Sequence, residues 1–276
     1  MVPLERIIAM GVTGTGKTKQ WLDMARILNK KGGPKFHVID TDNAIDYMIA
    51  TSYPELDIKN GGNVIVYKVY EWEDYHGHAK DDKHPDGAQE KILKAIKPND
   101  WIVIDMADSP WDAVQRFYTN EVFGKGKGAY FLQTRRMVQS KLESGGKKAF
   151  MSEEGLKGWE DWPTINAMYF DFIMPIINNQ CAHIYLSTKV QSLSPKDDPT
   201  VKVTYGDFGI RASGQKNLGH AVHTILLYSI DISVKEKPVW KVTTIKDRAN
   251  REYFQKDMFV SFYYQYLVAK AGWELK

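Results

Sequence analysis

The sequence has little cysteine and no long apolar run. Its 276 residues include one cysteine, Cys181, which excludes a disulfide within the chain and suits a reducing compartment. No stretch reaches the roughly 18 apolar residues that indicate a membrane-spanning helix. The first residues, MVPLERII, lack the basic start and the small-residue cleavage site of a secretory signal. We therefore expect a soluble protein of the cytoplasm with no membrane partner.

The net charge is also small. A formal charge of +3 does not by itself indicate a nucleic-acid-binding protein, so that function must be argued from where the charge lies. With 43% hydrophobic and 26% charged residues, the chain can bury a full core. We expect a single domain over residues 1–276, although that length is at the upper end for one domain.

A phosphate-binding loop is the clearest motif that is present. Residues 11–18 read GVTGTGKT, which is glycine, four residues, glycine, lysine and threonine. The apolar run IIAM precedes the loop and a helical apolar pattern follows it, so the context is strand, loop, helix. The glycines let backbone N–H groups turn towards an anion, and the helix adds the positive end of its dipole. The residues predicted to bind nucleotide are Gly11, Val12, Thr13, Gly14, Thr15, Gly16, Lys17 and Thr18, with Lys17 on the β- and γ-phosphates and Thr18 on Mg²⁺.

Alternating strand and helix patterns predict an α/β fold. Apolar, β-rich runs occur at 6–10, 36–40, 63–70, 101–106 and 183–188, and helical patterns occur at 18–31, 87–96 and 162–178. This order is typical of a mainly parallel sheet flanked by helices. Runs at 201–205, 223–231 and 239–246 have short connections, which favour added antiparallel strands. A final helix is predicted at about 257–271.

Carboxylates follow two of the predicted strands. Asp105 ends the run WIVID, where a phosphate-loop enzyme needs an acid facing Mg²⁺. Asp108 is predicted to cap a helix that starts at Ser109. Asp40 ends the run FHVID and Asp42 follows two positions later, and strand alternation predicts that they share a face. A carboxylate there could orient or deprotonate the water that attacks a γ-phosphate.

The stretches GVTGTGKT, VIDTDNAIDYMIA and WIVID together resemble the RecA family of recombinases and its relatives, the circadian clock ATPases and the replicative hexameric helicases. The resemblance implies ATP and Mg²⁺ as ligands and a ring or filament of identical subunits. In that family the second strand ends in an aspartate, with a catalytic glutamate two positions later, which implies a catalytic role for Asp42. Here that residue is an aspartate, whose side chain is one methylene shorter and reaches less far towards the water molecule; Asp40 is the other candidate acid.

The resemblance extends to two later segments. HIYLSTKVQ is similar to the strand that carries a polar γ-phosphate sensor, which implies Ser187, Thr188 or Gln191. The pair Lys246 and Arg248 is similar to a pair that reaches the γ-phosphate of a neighbouring subunit; Arg251 and Arg211 are the substitutes if the strand register differs. In size and motifs the chain is most similar to small phage-encoded RecA-like ATPases of recombination, which act with single-strand-binding or annealing proteins; that origin implies the host cytoplasm.

A basic segment follows the WIVID strand. Residues 121–157 carry eight lysines and arginines against four glutamates, together with Tyr130, Phe131 and Phe150. Cations in glycine-punctuated loops can neutralise phosphates while aromatic rings stack on bases. DNA-binding loops follow the equivalent strand in RecA-like proteins, so the resemblance implies a DNA contact here; a solvated insertion is the alternative. The candidate residues are Lys125, Lys127, Arg135, Arg136, Lys147 and Lys148.

The expected function is hydrolysis of ATP coupled to work on single-stranded DNA. A DNA-packaging or helicase motor has the same parts and differs in its need for duplex or forked DNA. A nucleotide-gated assembly protein that does not bind nucleic acid is another alternative, and a small-molecule phosphotransferase with 121–157 as a lid is a third. The histidines and aspartates of 75–87 match no metal-site spacing, and we interpret that stretch as a polar loop.

Overall fold

The computed structural model describes residues 4–77, 86–143, 161–232 and 238–248. The strands are β1 (Arg6–Gly11), β2 (Phe36–Asp40), β3 (Val64–Lys68), β4 (Trp101–Asp105), β5 (His183–Thr188), β6 (Val190–Ser192), β7 (Ile210–Ala212), β8 (Thr224–Asp231) and β9 (Val239–Asp247). The α-helices are α1 (Lys17–Leu28), α2 (Ile45–Ser52), α3 (Trp72–His76), α4 (Ala88–Ala95), α5 (Ser109–Phe123), α6 (Lys127–Glu143), α7 (Asp161–Ile177), α8 (Pro199–Tyr205) and α9 (Leu218–Ala221). Short 3-10 helices span Pro54–Leu56, Ile58–Asn60 and Gly206–Phe208.

Seven strands form one central sheet in the order β3-β2-β4-β5-β1-β8-β9. Neighbouring strands from β3 to β8 are parallel, and β9 runs antiparallel to β8 at one edge. A separate antiparallel pair joins β6 to β7. The predicted α/β fold with a mainly parallel sheet is confirmed, and so are the five strands that the apolar runs indicated.

The central strands are buried on both faces, which explains why their sequences are continuously apolar. Every residue of β2, β4 and β5 is buried, and so are five of the six residues of β1. Helix α1 contributes Trp21 and Leu22 to the core on one face of the sheet. Helix α7 contributes Phe172 and Ile173 to the core on the other face. No helix within the described ranges is long and apolar enough to cross a bilayer.

The predicted strand at 201–205 is wrong, because this segment is helix α8. Pro199 occupies the first turn, and the Asp198 carboxylate accepts the Thr200 N–H at 2.8 Å, which caps the helix. Val201 and Tyr205, four residues apart, are buried, whereas Val203 is 88% exposed. The apparent alternation therefore reflects helical spacing, since a strand would place all three side chains on one face.

Two further expectations are corrected. Strand β8 is parallel to β1 rather than antiparallel, because the long segment between β5 and β8 returns the chain to the end of the sheet where the parallel strands start. Residues 127–143 form helix α6 rather than a flexible loop. Residues 144–157, the predicted helix at 257–271 and residues 78–85 of the histidine-containing loop lie outside the described residues.

Candidate nucleotide-binding site

The loop between β1 and α1 has the backbone that its glycines predict. Gly14 and Gly16 have φ values of 83° and 90°, in the left-handed region that side chains disfavour. A Cβ atom on Gly11 would lie 2.4 Å from the Tyr228 carbonyl oxygen on the neighbouring strand β8. Glycine is therefore needed at the first position for close packing and at the other two for conformation.

Lys17 lies inside this loop and is 7% exposed. Its Nζ donates to the carbonyl oxygens of Gly11 and Val12 at 2.8 and 2.9 Å. Burial lowers the pKa of Lys17, and the negative charges of Asp105 and Asp108 oppose that shift. The ammonium group is thus held at the centre of the loop, where the motif predicts a phosphate contact.

Asp105 is buried at the end of β4 and makes three side-chain hydrogen bonds. Trp21 Nε1 donates to Oδ2 at 3.1 Å, and the Ser187 hydroxyl donates to Oδ1. The Thr18 hydroxyl also hydrogen-bonds to this carboxylate. Burial raises the pKa of Asp105, and these hydrogen bonds act against that rise. The two residues predicted to hold Mg²⁺, Thr18 and Asp105, are therefore in contact.

Asp40 and Asp42 occupy different environments. Asp40 is 1% exposed, and its Oδ2 accepts the Ile45 N–H at 3.2 Å. Asp42 is exposed, and its Oδ1 accepts the Ala44 N–H at 3.3 Å. Burial and the neighbouring Asp42 raise the pKa of Asp40 to about 6. The prediction that strand alternation places both carboxylates on one face is wrong, because β2 ends at Asp40 and Asp42 lies beyond it. A turn with Asn43 at φ 64° follows.

A cavity of about 340 Å³ lies against the phosphate loop. Asp42 lines it, together with Lys17 and Thr18, whereas Asp40 does not. Lys189, which directly follows β5, also lines the cavity. It was not predicted as a site residue from the sequence, because it belongs to no recognised motif. The full lining is Thr13, Gly14, Gly16, Lys17, Thr18, Lys19, Asp42, Met48, Met106, Ser109 and Lys189.

The predicted cap at Asp108 is wrong, although α5 begins at Ser109 as expected. Asp108 has φ −78° and ψ −23°, already helical, and its side chain makes no capping hydrogen bond. Its Oδ1 accepts the Thr188 hydroxyl at 3.4 Å, and its Oδ2 lies 4.0 Å from Lys189 Nζ. Asp108 thus joins the polar groups at the end of β5.

The three candidate sensors are placed differently. Ser187 and Thr188 are buried at the end of β5, beside Asp105 and Asp108. Gln191 lies on β6, opposite Arg211 of β7, and does not line the cavity. Ser187 is the candidate that contacts a residue predicted to hold the metal.

Lys246 and Arg248 lie at the opposite end of the sheet from the phosphate loop. Lys246 Nζ donates to the carbonyl oxygens of Gly219 and Val222, each at 2.8 Å, and Arg248 Nη2 donates to His220 at 3.2 Å. The end of β9 pairs with the start of β8, which lies beside the start of β1. These cations therefore do not reach the loop of their own chain. Arg251 lies outside the described residues.

The described part of the basic segment, residues 121–143, contains the end of α5, a three-residue turn and α6. Lys127 Nζ lies 3.3 Å from Asp112 of α5, and Lys125 donates to Gln133. Arg135 and Arg136 are exposed on α6. Phe123 and Tyr130 stack with ring centroids 4.3 Å apart and attach α6 to α5. Lys147 and Lys148 lie outside the described residues.

Comparison with known proteins gives structural likenesses only. No family model matches the sequence, and no curated protein matches it. A KaiC-like protein from the archaeon Pyrococcus horikoshii OT3 superposes with a TM-score of 0.43 and 11% identity, over 90% of this chain and 81% of its own. The RadB recombinase superposes with a TM-score of 0.47 and 10% identity, over 93% of this chain and 86% of its own. What the protein does therefore has to follow from the residues of its site.

Proposed function

We propose that the chain binds ATP with Mg²⁺, hydrolyses it, and acts as an oligomer on single-stranded DNA in recombination or annealing. One observation carries the proposal. A single cavity joins Lys17 and Thr18 of the phosphate loop to Asp42, and Thr18 also contacts the buried Asp105. These groups come from three separate segments of the chain, and together they can hold a triphosphate, a metal ion and a water molecule.

The phosphate contacts come from the loop and from Lys17. Backbone N–H groups of the loop and the start of α1 favour an anion, because they supply donors and a positive partial charge. Lys17 adds a full charge that can leave the carbonyl oxygens of Gly11 and Val12 for phosphate oxygens, which are stronger acceptors.

The donor atoms at Thr18 and Asp105 fit Mg²⁺. Both residues offer oxygen ligands, which this ion prefers, and their side chains already hydrogen-bond to each other. Ser187 and Trp21 hold the Asp105 carboxylate in place. The ion, when bound, neutralises charge that develops on the phosphate oxygens.

Asp42 is the proposed general base. Its carboxylate takes a proton from a water molecule as the water oxygen bonds to the γ-phosphorus. The bond from that phosphorus to the bridging oxygen breaks, which leaves ADP and inorganic phosphate. Exposure of Asp42 on the cavity wall supports this role, since Asp40 is buried and does not line the cavity.

Single-stranded DNA is proposed as the partner on the strength of the basic segment. Arg135 and Arg136 are exposed on α6, and the segment carries an excess of positive charge. The sequence resemblance to RecA-like proteins supports DNA as the polymer that meets these cations, and a single-strand-binding or annealing protein as a further partner.

The test is ATP turnover measured without DNA, with single-stranded DNA and with duplex DNA. We expect turnover that needs Mg²⁺ and is stimulated most by single strands. Lys17→Ala should weaken ATP binding about 100-fold, because two or more charge-assisted contacts are lost. Lys31→Ala is the matched control, since Lys31 is an exposed lysine beyond the end of the same helix.

Each result decides between functions. Stimulation by duplex DNA alone would favour a motor. Turnover that no DNA changes, with ATP-dependent assembly, would favour a nucleotide-gated assembly protein. Equal ATP affinity in wild type and Lys17→Ala would contradict nucleotide binding at this loop.

A further inference from the structure

Trp240 lies against the phosphate loop although it is far from it in sequence. Its indole Nε1 donates to the Gly14 carbonyl oxygen at 3.4 Å, and its Cδ1 is 3.9 Å from where a Cβ atom on Gly16 would lie. The side chain is nevertheless 49% exposed, whereas Trp21 and Trp101 are fully buried. A large aromatic ring is thus held in place by the loop and left partly open to solvent.

The strand register defines where this ring sits. Gly11, where the loop begins, pairs with Tyr228 of β8, and Tyr228 pairs with Val242 of β9. Trp240 precedes Val242 by two residues, so it lies beyond the level of Gly11, at the end of the sheet where the loop emerges. Val242 packs in the core beneath α1. Because side chains alternate along a strand, Trp240 lies on that same face, beside the start of α1.

The candidate catalytic groups lie on the other side of β1. Asp42 follows β2, Asp105 ends β4 and Lys189 follows β5, and these three strands precede β1 in the sheet order. Strands β8 and β9 lie beyond β1 on the opposite side. In a nucleoside triphosphate, the γ-phosphate and the base are at opposite ends. A triphosphate with its γ-phosphate near Asp42 and Asp105 therefore directs its base towards β9.

We propose that Trp240 is the stacking platform for the purine base of the bound nucleotide. This inference rests on the proposed nucleotide binding at the loop. An indole face provides a large, rigid apolar surface for a base, and the hydrogen bond to Gly14 fixes the ring while leaving that surface open. A ring that contacts a base by its face does not read the base edges. Trp240 therefore favours larger bases and discriminates little between adenine and guanine.

The test compares ATP with inorganic tripolyphosphate, which has the phosphates and no base. We expect Trp240→Ala to weaken ATP binding about 5- to 100-fold, the range found when base stacking is removed. Tripolyphosphate affinity should stay the same, because the loop and Lys17 are intact. Trp240→Phe should recover most of the ATP affinity, since an aromatic face remains.

Tyr70→Ala is the matched control. Tyr70 is 57% exposed and follows β3, the strand at the other edge of the sheet, so its loss should change neither affinity. Equal weakening of ATP and tripolyphosphate in Trp240→Ala would show that the ring only supports the loop, and this would overturn the proposal. Unchanged ATP affinity in that variant would also overturn it. If the wild-type protein binds neither compound, the proposed function itself fails, which is a separate result.

Discussion

At the scale of single residues, Asp40 and Asp42 show how two carboxylates two positions apart can occupy different environments. Burial, together with the nearby negative charge of Asp42, raises the pKa of Asp40 to about 6. A proton on Asp40 removes the repulsion between two close negative charges. Asp42 faces the cavity, while Asp40 also accepts the Ile45 N–H and so fixes the start of α2.

Asp40→Asn should stabilise the protein at neutral pH. Because the folded-state pKa of Asp40 is raised, the folded state binds the proton more tightly than the unfolded state, and its stability falls as pH rises from about 4 to 6. An amide carries no charge at any pH and can still accept the Ile45 N–H. We expect the variant to be about 1–2 kcal/mol more stable than wild type at pH 7 and equal to it at pH 4. Chemical denaturation at both values measures this.

Asp207→Asn is the control for that experiment. Asp207 is exposed, so its substitution removes the same charge without altering the core. An equal stability difference for Asp40→Asn at pH 4 and pH 7 would contradict the raised pKa.

Asp42→Asn should separate ATP binding from hydrolysis. An amide can hydrogen-bond to water but cannot accept its proton, so turnover should fall about 100-fold or more while ATP affinity changes little. Single-turnover assays and equilibrium binding measure the two effects. Asp46→Asn serves as the control, since Asp46 is an exposed carboxylate on α2 that pairs with Lys68. If Asp42→Asn stays active and Asp40→Asn is inactive, Asp40 is the base.

The phosphate loop was predictable from sequence because its residues are consecutive. Val12 to Gly16 lie between a strand and a helix whose patterns are local. Lys189 and Trp240 were not predicted as site residues. Only the strand order, with β5 next to β1 and β9 one strand beyond β8, brings these two side chains near the loop. Spacing along the chain carries no information about such neighbours.

At the scale of elements, burial on both faces explains which strands were predicted. The residues of β2, β4 and β5 are buried at successive positions, and such continuous apolar runs are visible in the sequence without any knowledge of tertiary contacts. Helix α8 was missed because VKVTY is rich in β-branched residues and alternates with polar ones. The Asp198 cap and Pro199 at the first turn outweigh that propensity.

Val201→Ala and Val203→Ala distinguish a helix at 201–205 from a strand. In helix α8 Val201 is fully buried and Val203 is 88% exposed. Val201→Ala should cost about 1–3 kcal/mol through lost burial and a cavity, whereas Val203→Ala should be neutral or slightly stabilising, because alanine favours helices. Thermal unfolding of the two variants measures this. Similar destabilisation by both would favour the strand.

Helix α6 is the element on which DNA binding is to be tested. Arg135 and Arg136 are adjacent, so helical geometry points them about 100° apart, and both are exposed. If both contact phosphates, replacing the pair with alanine should lower the slope of log affinity against log salt by about two. Lys30→Ala with Lys31→Ala is the matched control, an adjacent exposed pair after α1. If the slope of log affinity against log salt is unaltered in the α6 variant, these two arginines do not contact DNA phosphates.

At the scale of the whole molecule, the sheet separates two sets of charged groups. The phosphate loop and its carboxylates lie at one end of the parallel strands, and Lys246 and Arg248 lie at the other. The five residues from Ile7 to Gly11 alone span about 13 Å along the strand direction. Arg248 is exposed, so it can contact a second subunit but not the loop of its own chain. Any catalytic role for this pair therefore requires an oligomer.

Mixed assemblies test this requirement. We expect Arg248→Ala to reduce turnover about 10³-fold or more, the loss typical of an arginine that stabilises phosphoryl transfer from a neighbour. Lys17→Ala should be inactive alone. In an equal mixture, about a quarter of the interfaces pair an intact loop with an intact Arg248, so turnover should rise towards a quarter of wild type.

Lys17→Ala mixed with Asp42→Asn is the control, because both changes fall in the same pocket and no interface becomes intact. Light scattering must show co-assembly in both mixtures, and unchanged melting temperatures must show that loss of the Arg248 bond to His220 leaves the fold intact. If the first mixture co-assembles and stays inactive, Arg248 does not act across an interface. Activity in both mixtures would also contradict the model, because the control mixture contains no pocket in which Lys17 and Asp42 are both intact.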